Sequence, residues 1–273
     1  MSLRYNRDKR RNRMARKIVI TSGKGGAGKT TVTACLGYKL SLMGKKTVLL
    51  DLDFGLNNLD ILLGVEDKTS YGVEDVISGK CRAKQALVEA GKNLFVMPSS
   101  KNSDIRVSAQ NVKLLIDGLK NSFDFVLIDC PAGIGAGFER AVASADEALV
   151  VVNPSLASLR DADKAVSLIK SYGLEQIKAV VNRARGDLIA ASLTLGVSDI
   201  KKILKLDIAG VLPDDDGILL GDAKRLSKLY FSNKAYSYLA KNLTGAGNGK
   251  IYDPVSPYRG IFGRFKIAAA RRL

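Results

Sequence analysis

Residues 23–31 read Gly23-Lys24-Gly25-Gly26-Ala27-Gly28-Lys29-Thr30-Thr31 and match the pattern G-x-x-x-x-G-K-[ST]. Glycines in this pattern let backbone N–H groups converge on a polyphosphate without Cβ clashes. Lys29 can then reach the β- and γ-phosphates, while the Thr30 hydroxyl can ligate Mg²⁺. Residues 17–21 are typical of a buried strand, and residues 31–43 of a helix whose N-terminus faces the phosphates. The stretch therefore predicts a nucleotide-binding loop between a strand and a helix.

Short apolar runs alternate with helical patterns along the rest of the chain. The runs predict strands at 17–21, 47–53, 94–97, 125–129, 148–152, 179–181 and 208–212. Helices are predicted, besides 31–43, at 111–121, 158–171, 198–205 and 232–243. Near-continuous apolar strands between amphipathic helices are typical of a parallel sheet covered on both faces. We expect an α/β fold of the P-loop NTPase type, a mostly parallel β-sheet sandwiched by α-helices, with a C-terminal amphipathic helix.

Polar side chains follow several predicted strands, at the edge where parallel sheets bind ligands. Asp129 ends an apolar run and precedes Pro-Ala-Gly. A carboxylate there can orient a Mg²⁺-bound water, and the glycines that follow can form a switch that senses the γ-phosphate. Asp51 and Asp53 form a second acidic pair. One of the two is expected to face the phosphates and the attacking water and the other to support it, and the sequence leaves open which is which.

Composition excludes several kinds of chemistry. The chain of 273 residues contains no tryptophan and no histidine, so histidine-based catalysis and histidine metal sites are excluded. Its cysteines are Cys35, Cys81 and Cys130, without C-x-x-C spacing, and the first and last lie in apolar segments where they are expected to be buried. This usage indicates a reducing cytosol and argues against zinc or iron–sulfur binding. No membrane-span-length apolar run and no signal peptide are evident.

The net charge of +16 is concentrated at the two ends of the chain. Residues 1–17 carry eight basic residues against one acid, and residues 256–273 carry five basic residues and no acid. Between these ends, 30 basic residues are nearly balanced by 26 acids. An anionic partner, whether membrane or nucleic acid, is therefore expected to bind the ends of the chain.

The phosphate loop carries a second lysine, Lys24, near its start. With it, residues 24–31 fit K-G-G-x-G-K-[ST]-[ST], and the chain resembles the MinD/ParA family, which has this signature lysine. Further segments, in the same order as in the family, resemble its MinD branch: residues 14–23, 51–60, 129–134, 153–154, 160–163 and 211–215. The resemblance covers the chain from about residue 14 to about residue 215.

The resemblance implies an ATPase that uses ATP and Mg²⁺ and dimerises around two nucleotides, with Lys24 reaching the partner's phosphates. Lys24, Lys29 and Asp53 are then the expected catalytic residues, and Asp53 positions the attacking water. Thr30, with Asp129 acting through water, is expected to hold Mg²⁺. The expected adenine contacts are Asn182, Arg183, Pro213 and Asp214.

The chain departs from the MinD pattern in three places. Asn57 stands where many MinD sequences carry a basic residue, residues 186–197 lack a Gly-Asp-Met-Leu-Ser run, and residues 221–236 lack an Asn-x-Gly-x-Pro element. These departures affect expected partner and adenine contacts but not the phosphate chemistry. The resemblance begins at Met14, so residues 1–13 are expected to be an extension, most simply a solvated tail.

The C-terminal end has the features of a membrane anchor. A stretch rich in Gly, Asn and Pro (244–257) precedes residues 258–273, which place Ile261, Phe262 and Phe265 on one helical face beside the basic Arg264 and Lys266. A basic amphipathic helix on a flexible tether is typical of an interfacial anchor for anionic lipid. Dimerisation would pair two such weak anchors, so that avidity makes membrane binding depend on ATP. The alternatives are a helix docked on the body and a tail that binds nucleic acid.

These features predict four parts: a basic tail (1–16), an ATPase domain (17–243), a flexible linker (244–257) and a membrane-targeting helix (258–273). We expect a cytoplasmic ATPase, peripheral on the inner face of the cell membrane, that positions the division septum with division-regulator protein partners. The alternatives are a ParA-like partition ATPase that binds DNA and a MinD-type regulator of flagellar number. The amphipathic helix favours membrane, because DNA binding requires charge but not bulky apolar residues.

Overall fold

The structure, a computed structural model, describes residues 14–54, 58–100, 107–219 and 223–260. They form one eight-stranded sheet in the order β3-β4-β2-β5-β1-β6-β7-β8. All neighbouring strands are parallel except β3, which pairs antiparallel with β4 at one edge. The strands are β1 Arg16–Thr21, β2 Thr47–Asp51, β3 Val88–Gly91, β4 Leu94–Met97, β5 Phe125–Asp129, β6 Glu147–Val152, β7 Gln176–Ala184 and β8 Asp207–Pro213.

Helices cover both faces of the sheet. The longer ones are α1 Lys29–Leu42, α5 Ala109–Leu119, α7 Leu156–Ser171, α9 Val197–Leu204 and α11 Tyr230–Thr244. The shorter ones are α2 Leu59–Leu63, α3 Val73–Ile77, α4 Ala83–Ala86, α6 Ala136–Val142, α8 Gly186–Ala190 and α10 Asp216–Leu219. Three 3₁₀ segments complete the described elements: Glu66–Lys68, Ala223–Lys228 and Ser256–Tyr258.

Two hydrophobic cores lie on opposite faces of the sheet because strand side chains alternate in direction. In β1, Ile18 and Ile20 pack with α1, α2 and α11. Val19, between them, packs with α5, α6, α7 and α9 on the other face. All three side chains are fully buried, as expected for the central strand of a sheet covered on both sides.

The arrangement of β1 creates the ligand-binding crevice. β1 pairs with β5 on one side and β6 on the other, so the connections that leave these strands diverge at their carboxyl ends. In open α/β sheets such a point forms a crevice in which ligands bind. The loop after β1, residues 23–28, lies at this point and leads directly into α1.

The predicted α/β fold of the P-loop NTPase type is confirmed, and all seven predicted strands and the five predicted longer helices are present with small shifts at their ends. The predicted C-terminal amphipathic helix falls mostly outside the described residues. The strand predicted at 47–53 ends at Asp51, so Asp53 lies in the following loop. β3 was not predicted, because its four residues include Glu89 and Gly91 and lack the apolar run of the parallel strands. Cys35 and Cys130 are buried as predicted.

Part of the predicted linker packs on the ATPase domain. Residues 245–250 are mostly exposed, but Tyr252 is buried and its ring centroid lies 6.3 Å from that of Phe231 in α11. The 3₁₀ segment Ser256–Tyr258 contacts α8. Residues 1–13, Asn57 and the whole predicted membrane face, Ile261 to Lys266, lie outside the described residues. Within the described residues, no helix combines the length and apolar character needed to span a bilayer.

Candidate nucleotide site

The phosphate loop is shaped by glycines that other residues could not replace. Gly28 caps α1 in the left-handed region at φ 94°, and Gly26 lies there too at φ 79°. Gly23 lies against α7, where an added Cβ would fall 2.1 Å from the carbonyl carbon of Asp161. The loop therefore directs backbone N–H groups and the N-terminus of α1 towards a common point, which is the geometry that binds phosphate.

Two side chains hold the backbone of this loop by hydrogen bonds, and neither contact was predicted from the sequence. The Ser22 hydroxyl donates a hydrogen bond to the carbonyl oxygen of Lys24 at 2.7 Å. The side-chain amide of Asn182, at the end of β7, donates to the carbonyl oxygen of Ala27 at 2.8 Å. Ser22 adjoins the motif and is visible as a hydroxyl residue beside it, whereas the contact of Asn182 spans 155 residues and has no local signal.

The two lysines of the loop differ in their surroundings. Lys29 is 7% exposed and begins α1. Its charge acts to lower the pKa of both Asp53 and Asp129, although burial raises the pKa of each carboxyl overall. Lys24, in the same loop, is exposed. One lysine is thus directed into the site, and the other is available to a group outside the chain.

Asp129 lies buried at the end of β5, directly below the start of α1. Its Oδ1 accepts a hydrogen bond from the Thr33 hydroxyl at 3.2 Å. Burial, and then the neighbouring Asp51 carboxyl, raise its pKa, while hydrogen bonding from Thr30 and Thr33 and the charge of Lys29 oppose this. Its Oδ2 has no hydrogen-bond partner among the described residues. A carboxylate oxygen so placed beside the Thr30 hydroxyl fits the outer coordination of Mg²⁺ through water.

The structure distinguishes the two acids that follow β2. Asp51 is 1% exposed, and its carboxylate accepts hydrogen bonds from the backbone N–H groups of Asp53 at 2.9 Å and Leu59 at 3.4 Å. Burial raises the pKa of Asp51 to about 6. Asp53 is only partly buried and lies close enough to Lys29 for their charges to interact. Asp51 thus holds the loop that carries Asp53, and Asp53 is the acid whose charge interacts with Lys29 of the phosphate loop.

A cation–π contact connects the loops that follow β2 and β5. The guanidinium carbon of Arg140, in α6, lies 5.3 Å from the centroid of the Phe54 ring. Phe54 adjoins Asp53, and α6 begins just beyond the Pro-Ala-Gly turn that follows Asp129. The two segments that carry the acids are therefore in contact through Arg140 and Phe54, as expected of segments that respond together to a γ-phosphate.

A pocket lies beside the phosphate loop and combines all four predicted adenine contacts with further side chains. Its lining includes Gly28, Thr31, Asn182, Arg183, Pro213, Asp214, Asp215, Ile218 and Tyr236. The last three were not predicted. Asp215 fastens one wall, because its carboxylate accepts hydrogen bonds from the Ser232 hydroxyl at 2.5 Å and from the backbone N–H of Gly217 at 3.0 Å. Asp215 could have been predicted from the Pro-Asp-Asp run at the end of β8, whereas Ile218 and Tyr236 lie in segments without a local motif.

The sheet, the phosphate loop and the acids at the strand ends together define a P-loop ATPase with a second lysine in its phosphate loop. A family model described as an AAA domain matches residues 15–182. The chain is 42% identical over 240 residues to the putative septum site-determining protein MinD of Guillardia theta, covering 85% of this chain and 89% of that protein.

Solved structures agree with this relationship. The chain resembles MinD in the MinC:MinD cell division protein complex of Aquifex aeolicus with a TM-score of 0.79 and 38% identity, covering 85% of this chain and 96% of that one. It also resembles the septum site-determining protein MinD complexed with Mg-ADP from Pyrococcus horikoshii, with a TM-score of 0.76 and 30% identity over 87% of this chain and 99% of that one. The chain belongs to the MinD family. It is a MinD-like ATPase, and the Mg-ADP bound to the Pyrococcus horikoshii protein agrees with ATP and Mg²⁺ as the expected cofactors.

Proposed function

We propose that this chain forms an ATP-dependent homodimer whose membrane binding is reversed by hydrolysis and which positions the division septum. The exposure of Lys24 is the observation that carries this proposal. Lys24 is exposed while Lys29 of the same loop is buried, and Ser22 fixes the backbone of Lys24 by a hydrogen bond. A lysine held in this way can neutralise phosphate charge on a second protomer and stabilise both the dimer and the transition state.

The remaining site residues have roles that follow from their positions. Mg²⁺, when bound, neutralises charge on the β- and γ-phosphates and fixes their geometry. Thr30 would supply a hydroxyl ligand to the metal, and Asp129 would accept a hydrogen bond from a water bound to it. Lys29 contacts the phosphates from within the chain. Asp53 orients the attacking water, since it is the partly exposed acid beside Lys29.

The pocket beside Gly28 and Thr31 binds adenine in this proposal. Asn182 and Arg183 contribute one side, and the backbone at Pro213 and Asp214 contributes the other. Asn182 also holds the phosphate loop through Ala27. The same side chain therefore connects recognition of the base to the shape of the loop that binds the phosphates.

The two loop lysines provide the test of the dimer. A Lys24→Gln chain is expected to bind ATP with nearly the affinity of the unmodified protein but to remain monomeric in size-exclusion chromatography with light scattering. A Lys29→Gln chain is expected to lose ATP binding itself, because its ammonium is directed into the site. An ATP-dependent dimer of the Lys24→Gln chain would contradict the role assigned to Lys24.

The C-terminal residues 258–273 supply the reversible membrane contact in this proposal, with Ile261, Phe262 and Phe265 entering the bilayer and Arg264 and Lys266 meeting anionic headgroups. The protein would then be peripheral on the inner face of the cell membrane. Since MinD of Aquifex aeolicus has been solved in complex with MinC, we extend a division-regulator partner to this chain as well. In this proposal the basic tail predicted at 1–16 ends before Ala15, which is buried, and Arg16, which begins β1, so the ATPase domain predicted at 17–243 starts slightly earlier.

Vesicle co-sedimentation with ATP, ADP or no nucleotide tests the membrane contact. The informative truncation ends at Gly260 rather than at Pro257, because Tyr258 packs against α8 and its removal would disturb the ATPase domain. We expect ATP-dependent sedimentation with anionic vesicles for the full chain and none for the truncated chain or for Phe262→Ser/Phe265→Ser. ATP-dependent binding of unrelated DNA without vesicle binding would instead favour the partition function.

A further inference from the structure

Charge is distributed unequally between the two helical layers. Three neighbouring segments of one layer, α1, the 3₁₀ segment Ala223–Lys228 and α11, contain seven basic residues, Lys29 of the phosphate loop among them, and no acidic residue, while the short α2 of the same layer carries the buried Asp60. On the other face of the sheet, α5, α6, α7 and α9 also contain seven basic residues, but these are accompanied by five acids. A surface patch with one sign of charge attracts anionic partners, whereas interspersed charges are what an ordinary solvated surface shows.

Apart from Lys29, the cations of these three segments lie at the surface. We call the following residues the basic face: Lys39, Lys224, Arg225, Lys228, Lys234, Lys241 and Lys250. All except Lys39 are exposed. None of the ion pairs between described residues involves Lys39, Lys234 or Lys241. Burial and the nearby charge of Lys241 both lower the pKa of Lys39, so that these two cations crowd each other at the surface.

Aromatic and apolar side chains are interspersed with these cations. The Lys234 ammonium lies 6.0 Å from the ring centroid of Tyr230, and the Lys250 ammonium lies 5.4 Å from that of Tyr238. Tyr230 is 73% exposed, and Phe231 beside it is 46% exposed. At the end of α1, Leu42 and Met43 are exposed as well. Amphipathic rings and apolar side chains among lysines are the composition that suits the headgroup region of a bilayer.

The basic face also adjoins the point where the chain continues to its C-terminal end. Tyr252 packs against Phe231 at the first turn of α11, and the described chain ends at Gly260, eight residues later. The chain reaches α8 at Tyr258, so a tail that binds a bilayer starts beside α8, within eight residues of the contact that Tyr252 makes with the first turn of α11. This continuity, with the exposed apolar residues, favours lipid over nucleic acid as the partner of the face.

We propose that the basic face binds anionic lipid headgroups directly, as a second membrane contact of each protomer beside the C-terminal tail. The inference rests on the proposed membrane function and adds to it a contact made by the ATPase domain. The tail inserts apolar side chains, and the basic face supplies electrostatic attraction that orients the domain on the bilayer. Its contribution should weaken as salt is raised, because exposed charges are screened.

The test compares two charge-matched double variants of the full chain. Lys234→Gln/Lys241→Gln removes two cations from the basic face, and Lys113→Gln/Lys170→Gln removes two exposed cations from the other layer. Binding is measured with ATP by co-sedimentation with vesicles of phosphatidylcholine and phosphatidylglycerol in equal amounts. A lysine at an anionic surface is worth about fivefold in binding, so the first variant should bind about thirtyfold more weakly per protomer. The control variant should bind like the unmodified chain.

The outcomes separate this inference from the membrane function on which it rests. Both variants should keep the basal ATPase activity and circular dichroism of the unmodified chain, since none of the four lysines lies at the nucleotide site. Selective loss of vesicle binding by Lys234→Gln/Lys241→Gln supports the inference. Equal binding by the two variants overturns it while leaving the tail-based function intact, whereas absence of vesicle binding by the unmodified chain overturns both. Loss of duplex DNA binding by the first variant, with vesicle binding unchanged, assigns the face to nucleic acid and also overturns it.

Discussion

Replacing Asn182 with alanine tests whether one side chain controls the shape of the phosphate loop. Asn182 is 8% exposed, and its amide donates to the carbonyl oxygen of Ala27, itself 5% exposed, at 2.8 Å. Leaving a buried acceptor without its donor costs about 1–3 kcal/mol. If the loop keeps its conformation without nucleotide, this cost lowers the free energy of unfolding. If the loop relaxes instead, the cost appears as weaker nucleotide binding, by about five- to 150-fold.

The assay measures both quantities on the same protein. Urea unfolding gives the change in the free energy of unfolding, and titration calorimetry gives the affinities for ADP and for tripolyphosphate, which has no base. Because the hydrogen bond acts on the loop, we expect tripolyphosphate to lose affinity, and ADP to lose at least as much, since Asn182 also lines the adenine pocket. Asn182→Asp should lose more, because a carboxylate would then face the Ala27 carbonyl oxygen. Asn111→Ala, an amide deletion at an exposed site on α5, is the matched control and should change neither quantity.

Two results would refute this reasoning. If Asn182→Ala weakens ADP binding but leaves tripolyphosphate binding unchanged, the side chain acts on the base alone and the contact with Ala27 carries no energy. If Asn182→Asp binds nucleotide as tightly as the unmodified chain, the amide does not act as a donor to the loop. Either result would detach Asn182 from the phosphate chemistry and leave it as an adenine contact.

Further predictions concern packing and reactivity. Gly23→Ala should abolish nucleotide binding in calorimetry, because its Cβ would lie 2.1 Å from the Asp161 carbonyl carbon and the loop must move. Gly118→Ala should raise the free energy of urea unfolding by about 0.5–1 kcal/mol, since the site in α5 has no atom within 4 Å of an added Cβ. Cys81, which is half-buried, should be the only one of the three cysteines that reacts with a thiol reagent in the folded protein. Cys35 and Cys130 are buried, and burial raises the pKa of Cys130 to about 12. Rapid reaction of Cys130 would contradict its packing.

The parallel strands were predictable because a strand that is buried on both faces of a sheet is a short, nearly continuous run of apolar residues. In β5, all five residues are buried, and the sequence Phe-Val-Leu-Ile-Asp is apolar up to the ligand-binding edge. β3 gave no such signal, since its side chains alternate between buried and exposed and it pairs antiparallel at the edge of the sheet. Its position depends on pairing with β4, which a local pattern does not reveal.

The nucleotide site was predictable where its residues are neighbours in sequence. The phosphate loop is one continuous stretch, and Asp129 follows its strand directly. The choice between Asp51 and Asp53 could not be made from sequence, because both follow the same apolar run. It depends on which carboxylate accepts the backbone N–H groups of the following loop, and those lie up to eight residues away at Leu59.

The segment after α11 shows how composition can mislead when packing depends on a distant glycine. Residues 244–257 are rich in the residues of flexible linkers, yet an ideal Cβ on Gly186 would lie 1.9 Å from the carbonyl oxygen of Pro254 and 2.9 Å from the ring of Tyr258. Only a residue without a side chain admits this contact. Gly186 begins the stretch where the chain departs from the MinD pattern, and it follows β7 by two residues, close to Asn182 and Arg183. Gly186 and Asp187 are the two residues that this stretch shares with the Gly-Asp-Met-Leu-Ser run, and Gly186 fixes the start of the C-terminal tail beside the strand that contributes to the adenine pocket.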